Sequence, residues 1–254
     1  MKHDTPRVYA LAGIKGGIAK TATALTLARV MAGQGRRVAF VDHDPQGSAT
    51  SYLLPDIGPE DITGTALELI QGKPAPMLPT IIDRVDCLPA SLTMLSADMA
   101  LARDPGAVAA YRSTLATHCA EYDAVLIDTP PALGSLLLAA LYAADIVLSP
   151  CQPDPWTIQG LFMLAAEMDK IRGRGHNAEL IAVPAAVTAT EADRLRDWLT
   201  PDLFANTDRK PPRLTRQAIP KSASIRRAAL RGDAPAGSIL IAALELLEEI
   251  EGGR

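Results

Sequence analysis

Two lysines and three aspartates are spaced so that together they could serve one polyphosphate. Lys15 and Lys20 stand in the glycine-bearing segment 13–23 (GIKGGIAKTAT), with Thr21 directly after the second lysine. Such a loop, set between a strand and a helix, lets backbone N–H groups and the helix dipole cradle phosphates. Lys20 would reach the β- and γ-phosphates, and the Thr21 hydroxyl would ligate Mg²⁺. The strict G-x-x-x-x-G-K-[ST] pattern is not met, because Ile14 and Ala19 stand at its glycine positions. Asp42 and Asp44 open the segment 42–47 (DHDPQG), and Asp128 opens 128–131 (DTPP). Each segment follows directly on a short apolar run, and an aspartate at such a strand end can hold Mg²⁺ through water.

The elements that must carry these residues are legible in the hydrophobic pattern. Residues 7–12 and 37–41 read as strands flanking a helix over 20–33, a β–α–β unit with a right-handed crossover. Further strands are expected at 85–89, 124–127, 146–149 and 180–187, with helical patterns between them. That alternation predicts an α/β fold: a doubly wound, mostly parallel sheet with helices on both faces. Ligands in such sheets bind at the carboxyl ends of the strands, where all three segments fall. No linker or internal repeat divides the chain, so residues 1–254 are expected to form one domain. The proline-rich spots at 73–79 and 209–212 read as loops. Residues 236–251 read as an amphipathic helix with an acidic polar face that packs on the body.

Composition narrows the function classes. Hydrophobic residues make up 48% and charged residues 21% of the 254, which suits a chain that buries a real core. The apolar run 136–144 falls well short of the roughly 20 residues that span a bilayer. The N-terminus lacks the apolar stretch of a signal peptide, so a cytoplasmic protein is expected. Cys87, Cys119 and Cys151 have no C-x-x-C spacing, and His3, His118 and His176 are isolated, so no disulfide framework or metal centre is indicated. Trp156 and Trp198 are too far apart to form a base-stacking platform.

With these residues in view, the chain resembles the ParA/MinD family of ATPases. KGGIAKT (15–21) is similar to the deviant Walker A box KGGxGK[ST] of that family. VDHDPQGSAT (41–50) resembles the D-x-D-P-Q-G box of the ParA branch, and LIDTPP (126–131) its Walker B strand. Segments 133–152 and 219–232 follow the ParA pattern as well, so the likeness runs over roughly 7–250. It implies a P-loop fold, ATP/ADP with Mg²⁺ as cofactors, and slow hydrolysis in a homodimer with ATP sandwiched between subunits. By the same resemblance, Lys15, Gly16, Gly17, Ile18, Ala19, Lys20, Thr21 and Ala22 line the phosphates, while Ile219 and Pro220 belong to the nucleotide site. Lys15 matches the signature lysine that reaches the partner subunit's ATP. Asp44 matches the carboxylate that positions the attacking water, Asp42 orders that loop, and Asp128 joins Thr21 and Asp44 around the metal.

The sequence departs from the family at Ala19, Ala22 and His43, and at Arg226 and Arg227, which stand where Glu-Ala is common and make that segment more basic. Ala19 replaces a glycine, which costs on the order of 1 kcal/mol or more if its φ is positive and nothing if it is negative. Ala22 replaces a threonine hydroxyl, worth about one hydrogen bond, ~1 kcal/mol. His43 stands where an apolar residue is usual, and strand alternation turns it away from the side shared by Asp42 and Asp44, which suggests a structural or interface role.

Charge is unevenly placed. Residues 194–231 hold ten Lys/Arg against three Asp/Glu, in a chain whose net charge is −4. This basic segment supplies the expected contacts to nonspecific DNA: Arg194, Arg196, Arg213, Arg216, Lys221, Arg226, Arg227 and Arg231. The resemblance adds a ParB-type centromere-binding partner, cargo that is a plasmid, a chromosome or a protein assembly, and association with the nucleoid. No helix-turn-helix precedes the phosphate loop, which argues against site-specific repression. A MinD-like membrane role is disfavoured by the acidic final helix and the D-P-Q-G box. A metal-cluster carrier lacks its paired cysteines, and a nucleotide-locked binding module is kept open by Ala19 and Ala22.

Overall fold

The computed structural model describes residues 5–204, 207, 209–221 and 237–252. The apolar runs become strands β1 (Arg7–Leu11), β2 (Val38–Asp42), β4 (Val85–Leu88), β5 (Ala124–Asp128), β6 (Ile146–Cys151) and β7 (Glu179–Val187). Three two-residue strands were not expected: β3 (Leu78–Pro79), β8 (Arg213–Leu214) and β9 (Ile219–Pro220). The first lies at the end of the proline-rich stretch 73–79 that reads as a loop in the sequence. Across the sheet the order is β3-β4-β2-β5-β1-β6-β7-β8, with β9 pairing to β7. Every pairing is parallel except β3 with β4.

Strand alternation sorts the core into two layers. Val8, Ala10, Val125 and Ile127 face one cluster, built with α5 (Pro105–His118), α6 (Ser135–Ala143) and α7 (Pro155–Arg172). Tyr9, Leu11, Phe40 and Leu126 face the other, built with α1 (Lys20–Gly33) and α9 (Gly237–Gly252). Gly35, two residues beyond the end of α1, has a φ of 86° that lets its N–H return to the Ala32 carbonyl. The expected acidic helix is α9. It seats Leu246, Leu247 and Ile250 on the body, and Glu251 reaches the Tyr9 hydroxyl and Arg36.

Shorter helices fill the connections: α2 (Ser48–Leu53), α3 (Ala66–Ile70), α4 (Met94–Leu101) and α8 (Ala189–Trp198). β5 lies between β2 and β1, and while β1 leads through α1 to β2 on one side, β5 leads through α6 to β6 on the other, so the connections leaving the neighbours β1 and β5 diverge. This is the switch point at which such sheets leave a crevice.

Candidate functional site

The parallel register brings the three chemistry-bearing segments together at one edge. Leu11, the last residue of β1, pairs with Asp128, and Asp42 pairs with the same Asp128 from the other side. The phosphate loop, the Asp44 loop and the segment after β5 therefore leave the sheet side by side. Thr129 fastens two of them by donating from Oγ1 to the Leu11 carbonyl at 2.7 Å.

Two residues of the loop 12–19 take a left-handed backbone. Gly17 has φ 77°, and Ala19 has φ 66° and ψ 26°. Ala19 thus falls in the costly of the two cases that the sequence allowed: a Cβ sits where glycine would carry no penalty. It is also the N-cap of α1 and gives that helix no side-chain cap, so the first turn keeps N–H groups free to meet an anion. Gly16 and Gly17 are exposed at the rim, while Ile18 is buried beneath the loop. Lys20 is buried too, its Nζ donating to the Lys15 carbonyl at 3.3 Å. Burial pulls the Lys20 ammonium below its ordinary value, and the nearby Asp128 and Asp44 carboxylates push it back up.

Thr21 donates from Oγ1 to Asp128 Oδ2 at 2.6 Å. The other carboxylate oxygen, Oδ1, is buried and has no hydrogen-bond partner. Burial, and then the adjacent Asp42 charge, raises Asp128 to about 8. Asp42 is equally buried and is raised to about 6 by burial, despite accepting bonds from the Thr50 hydroxyl at 2.7 Å, the Thr50 N–H at 2.9 Å and the Asp44 N–H at 3.0 Å. Asp42 is thus a brace for its loop, whereas Asp44 is half-buried and accepts from the Gln46 N–H at 3.0 Å. An orphaned buried carboxylate oxygen beside a hydroxyl is a hard-oxygen donor set that fits Mg²⁺, with remaining positions left to phosphate and water.

Lys15 reaches sideways, its Nζ 2.9 Å from Asp154 Oδ1. Asp154 is the N-cap of α7, accepting from the N–H groups of Trp156 and Thr157. The sequence reading passed over Asp154, although an Asp directly before Pro155 at a helix start is a recognisable cap signal. Thr50 was missed as well, and nothing local marks it. Ala22 lies in the first turn of α1, where it brings no hydroxyl. Ile219 and Pro220 form β9 at the carboxyl end of β7, on the same edge as the phosphate loop. His43 points to the opposite layer, as alternation predicts, and is fully buried.

The basic candidates divide. Arg194 and Arg216 are exposed, and so is Lys221, which follows β9. Glu191, at the start of α8, is lowered first by bonds from Thr188 and then by the charges of Lys221 and Arg194. Arg196 pairs with Asp193 at 2.6 Å and donates to the Arg216 carbonyl, so these four basic residues gather near the end of β7. Arg213 does not join them. Its Nε meets Glu179 at 2.7 Å, and its two terminal nitrogens reach the Glu249 and Ile250 carbonyls at the end of α9. Arg226, Arg227 and Arg231 lie outside the described residues. Among the described residues, no helix is long and apolar enough to cross a membrane.

A family model described as an AAA domain matches residues 6–181. The chromosome partitioning protein ParA of Myxococcus xanthus is 38% identical over 177 residues, 68% of this chain and 62% of that protein. This chain therefore spans less than two thirds of that relative. The chromosome-partitioning ATPase Soj of Thermus thermophilus is 40% identical over 182 residues, 72% of this chain and 69% of that protein. Among solved structures, cobyrinic acid a,c-diamide synthase from Mycobacterium smegmatis with bound ADP and magnesium has a TM-score of 0.75 at 28% identity, covering 98% of this chain and 97% of that one. An ATP complex of Cyanothece McdA has a TM-score of 0.83 at 20% identity, covering 98% of each chain, a likeness of fold alone.

Proposed function

Because this chain belongs to the ParA/Soj family of partition ATPases, we propose that it is a Mg²⁺-dependent ATPase that dimerises around ATP and grips nonspecific DNA in that state. The observation that carries the reading is the convergence of Lys20, Thr21 and Asp128 at adjoining strand ends, with an unpartnered Asp128 oxygen between them. The ADP and magnesium of the Mycobacterium smegmatis synthase and the ATP of the McdA complex support the same cofactors here.

On this reading the triphosphate lies along loop 15–22. Free N–H groups of Gly16, Gly17 and the first turn of α1 hold its oxygens, and Lys20 exchanges the Lys15 carbonyl for phosphate. Thr21 and Asp128 would hold Mg²⁺, which would supply charge neutralisation to the phosphates. Asp44, less buried than Asp42, orients the attacking water, while Asp42 keeps the loop in place through Thr50. Lys15 leaves Asp154 to reach the ATP of a second subunit, which makes the nucleotide part of the dimer contact. Ile219 and Pro220 complete the nucleotide site.

The DNA grip falls to Arg194, Arg196, Arg216 and Lys221, with Arg226, Arg227 and Arg231 in the same segment. Neutralised phosphates release counterions, so such binding weakens steeply with salt. A ParB-type partner would stimulate slow hydrolysis and release the DNA, and the protein would work on the nucleoid in the cytoplasm to move plasmid or chromosomal cargo.

The test is duplex-DNA binding with no nucleotide, ADP or Mg²⁺–ATP across a salt series, alongside phosphate release. Binding that appears with ATP alone and falls with salt is expected, and Lys20→Ala should abolish it. Equal binding in all three states would overturn the switch. The strained Ala19 favours one second reading, a nucleotide-locked binding module, which predicts ATP-dependent binding without phosphate release.

A further inference from the structure

His43 lies between Asp42 and Asp44 in the chain, yet its side chain takes no part in the phosphate site. The fully buried ring places Nδ1 2.9 Å from the Leu136 carbonyl oxygen and Nε2 2.9 Å from the Tyr111 hydroxyl. A carbonyl only accepts, so Nδ1 carries the proton and Nε2 accepts from Tyr111. The backbone N–H of the same residue donates to the Asp128 carbonyl at 2.8 Å. Residue 43 therefore grips both ends of the connection between β5 and α6: Asp128 before it and Leu136 after it. The far end is held once more by Asp98, whose Oδ1 accepts from the Leu136 N–H at 2.9 Å.

An aliphatic side chain would fill the same space without either ring bond. Burying an imidazole is costly unless both nitrogens are satisfied, and here both are. What the imidazole adds beyond filling space is a directional link between two loops that border the phosphate site. One carries Asp44, and the other begins at Asp128.

We propose that His43 is a positioning residue that clamps the Asp44 loop to the β5–α6 connection, so that Asp44 and residues 129–135 keep one arrangement around bound nucleotide. The proposal rests on the ATPase reading for its effect on turnover, but the clamp itself is built from protein groups alone. Because the ring touches no phosphate, its loss acts on turnover rather than on affinity.

The test combines ATP titration, steady-state phosphate release and amide hydrogen exchange on three variants. His43→Leu should keep ATP affinity within about threefold, lower kcat at least tenfold, and speed exchange over 43–47 and 130–136 at least tenfold. His43→Asn, whose amide can still donate to the Leu136 carbonyl, should recover most of both. Tyr111→Phe, which keeps the Leu136 bond, should cost only a few-fold. The proposal is overturned if His43→Leu turns over like the parent, or if affinity and turnover fall together and His43→Asn rescues neither. A parent that releases phosphate no faster than Lys20→Ala removes the ATPase reading instead. Exchange then decides the clamp: rates over 130–136 unchanged in His43→Leu overturn it, and faster rates there sustain it.

Discussion

Ala19 and Asp128 each hold an unfavourable state. Ala19 sits at φ 66°, where a Cβ meets the neighbouring peptide. Ala19→Gly should raise stability by about 0.5–1 kcal/mol in denaturant melts, the strain relieved being partly offset by the glycine's greater freedom in the unfolded chain. Asp128 is raised to about 8 by burial and then by Asp42, well above an ordinary carboxylate. Since the folded form binds the proton more tightly than the unfolded one, its contribution to stability is full below pH 4 and is lost as pH rises towards 8. Asp128→Asn should therefore gain on the parent by about 2 kcal/mol between pH 6 and pH 8, read from paired chemical melts without nucleotide. Mg²⁺ requires the ionised carboxylate, so Mg²⁺–nucleotide binding should release close to one proton near pH 7 and fewer at pH 9. Calorimetry in two buffers of different ionisation enthalpy measures this directly, and equal heats in both buffers would contradict the raised pKa.

At the scale of elements, the basic segment separates into two jobs. Arg213 ties β8 to Glu179 and to the last carbonyls of α9. Arg213→Ala should cost about 1–2 kcal/mol of stability and leave DNA affinity and its salt slope unchanged. Arg194→Ala with Lys221→Ala should do the reverse, weakening DNA binding while lowering the slope of log K against log salt by about 0.9 for each phosphate contact removed. A fluorescence-anisotropy salt series separates the two, and a slope change on Arg213→Ala would return that residue to the DNA face. Asp154 carries two tasks at once, capping α7 and holding Lys15. Its replacement by Ala should cost about 1 kcal/mol through the lost cap.

Across the whole molecule, what the sequence disclosed and what it hid follow from range. β1, β2 and β5 could be read because each is a buried apolar run that ends in a glycine loop or an aspartate. Their convergence was legible because parallel sheets gather strand ends on one edge. The strands β3, β8 and β9 carry too few residues for any periodicity. The sign of φ at Ala19 depends on the closed loop, and no local pattern encodes it. Arg213 looked like its neighbours because its partners, Glu179 and the end of α9, lie more than thirty residues away on either side. His43 could be turned to the correct face by alternation, but Leu136 and Tyr111 become its partners only when α5 and α6 are laid on the sheet.

The strand order also sets a timetable for synthesis. β1 is made before the other strands of this sheet, yet both of its neighbours, β5 and β6, come more than a hundred residues later. At roughly 5–20 residues per second on the ribosome, Tyr9 and Leu11 wait on the order of ten seconds for a flanking strand. During that interval the phosphate loop has no edge to be anchored on, because Leu11 receives the Thr129 hydroxyl only after β5 emerges. α9 follows later still, closing Glu251 over Tyr9. A nascent chain stalled short of residue 151 should thus be cut readily between β1 and α1 by added protease, and one stalled past α9 should resist.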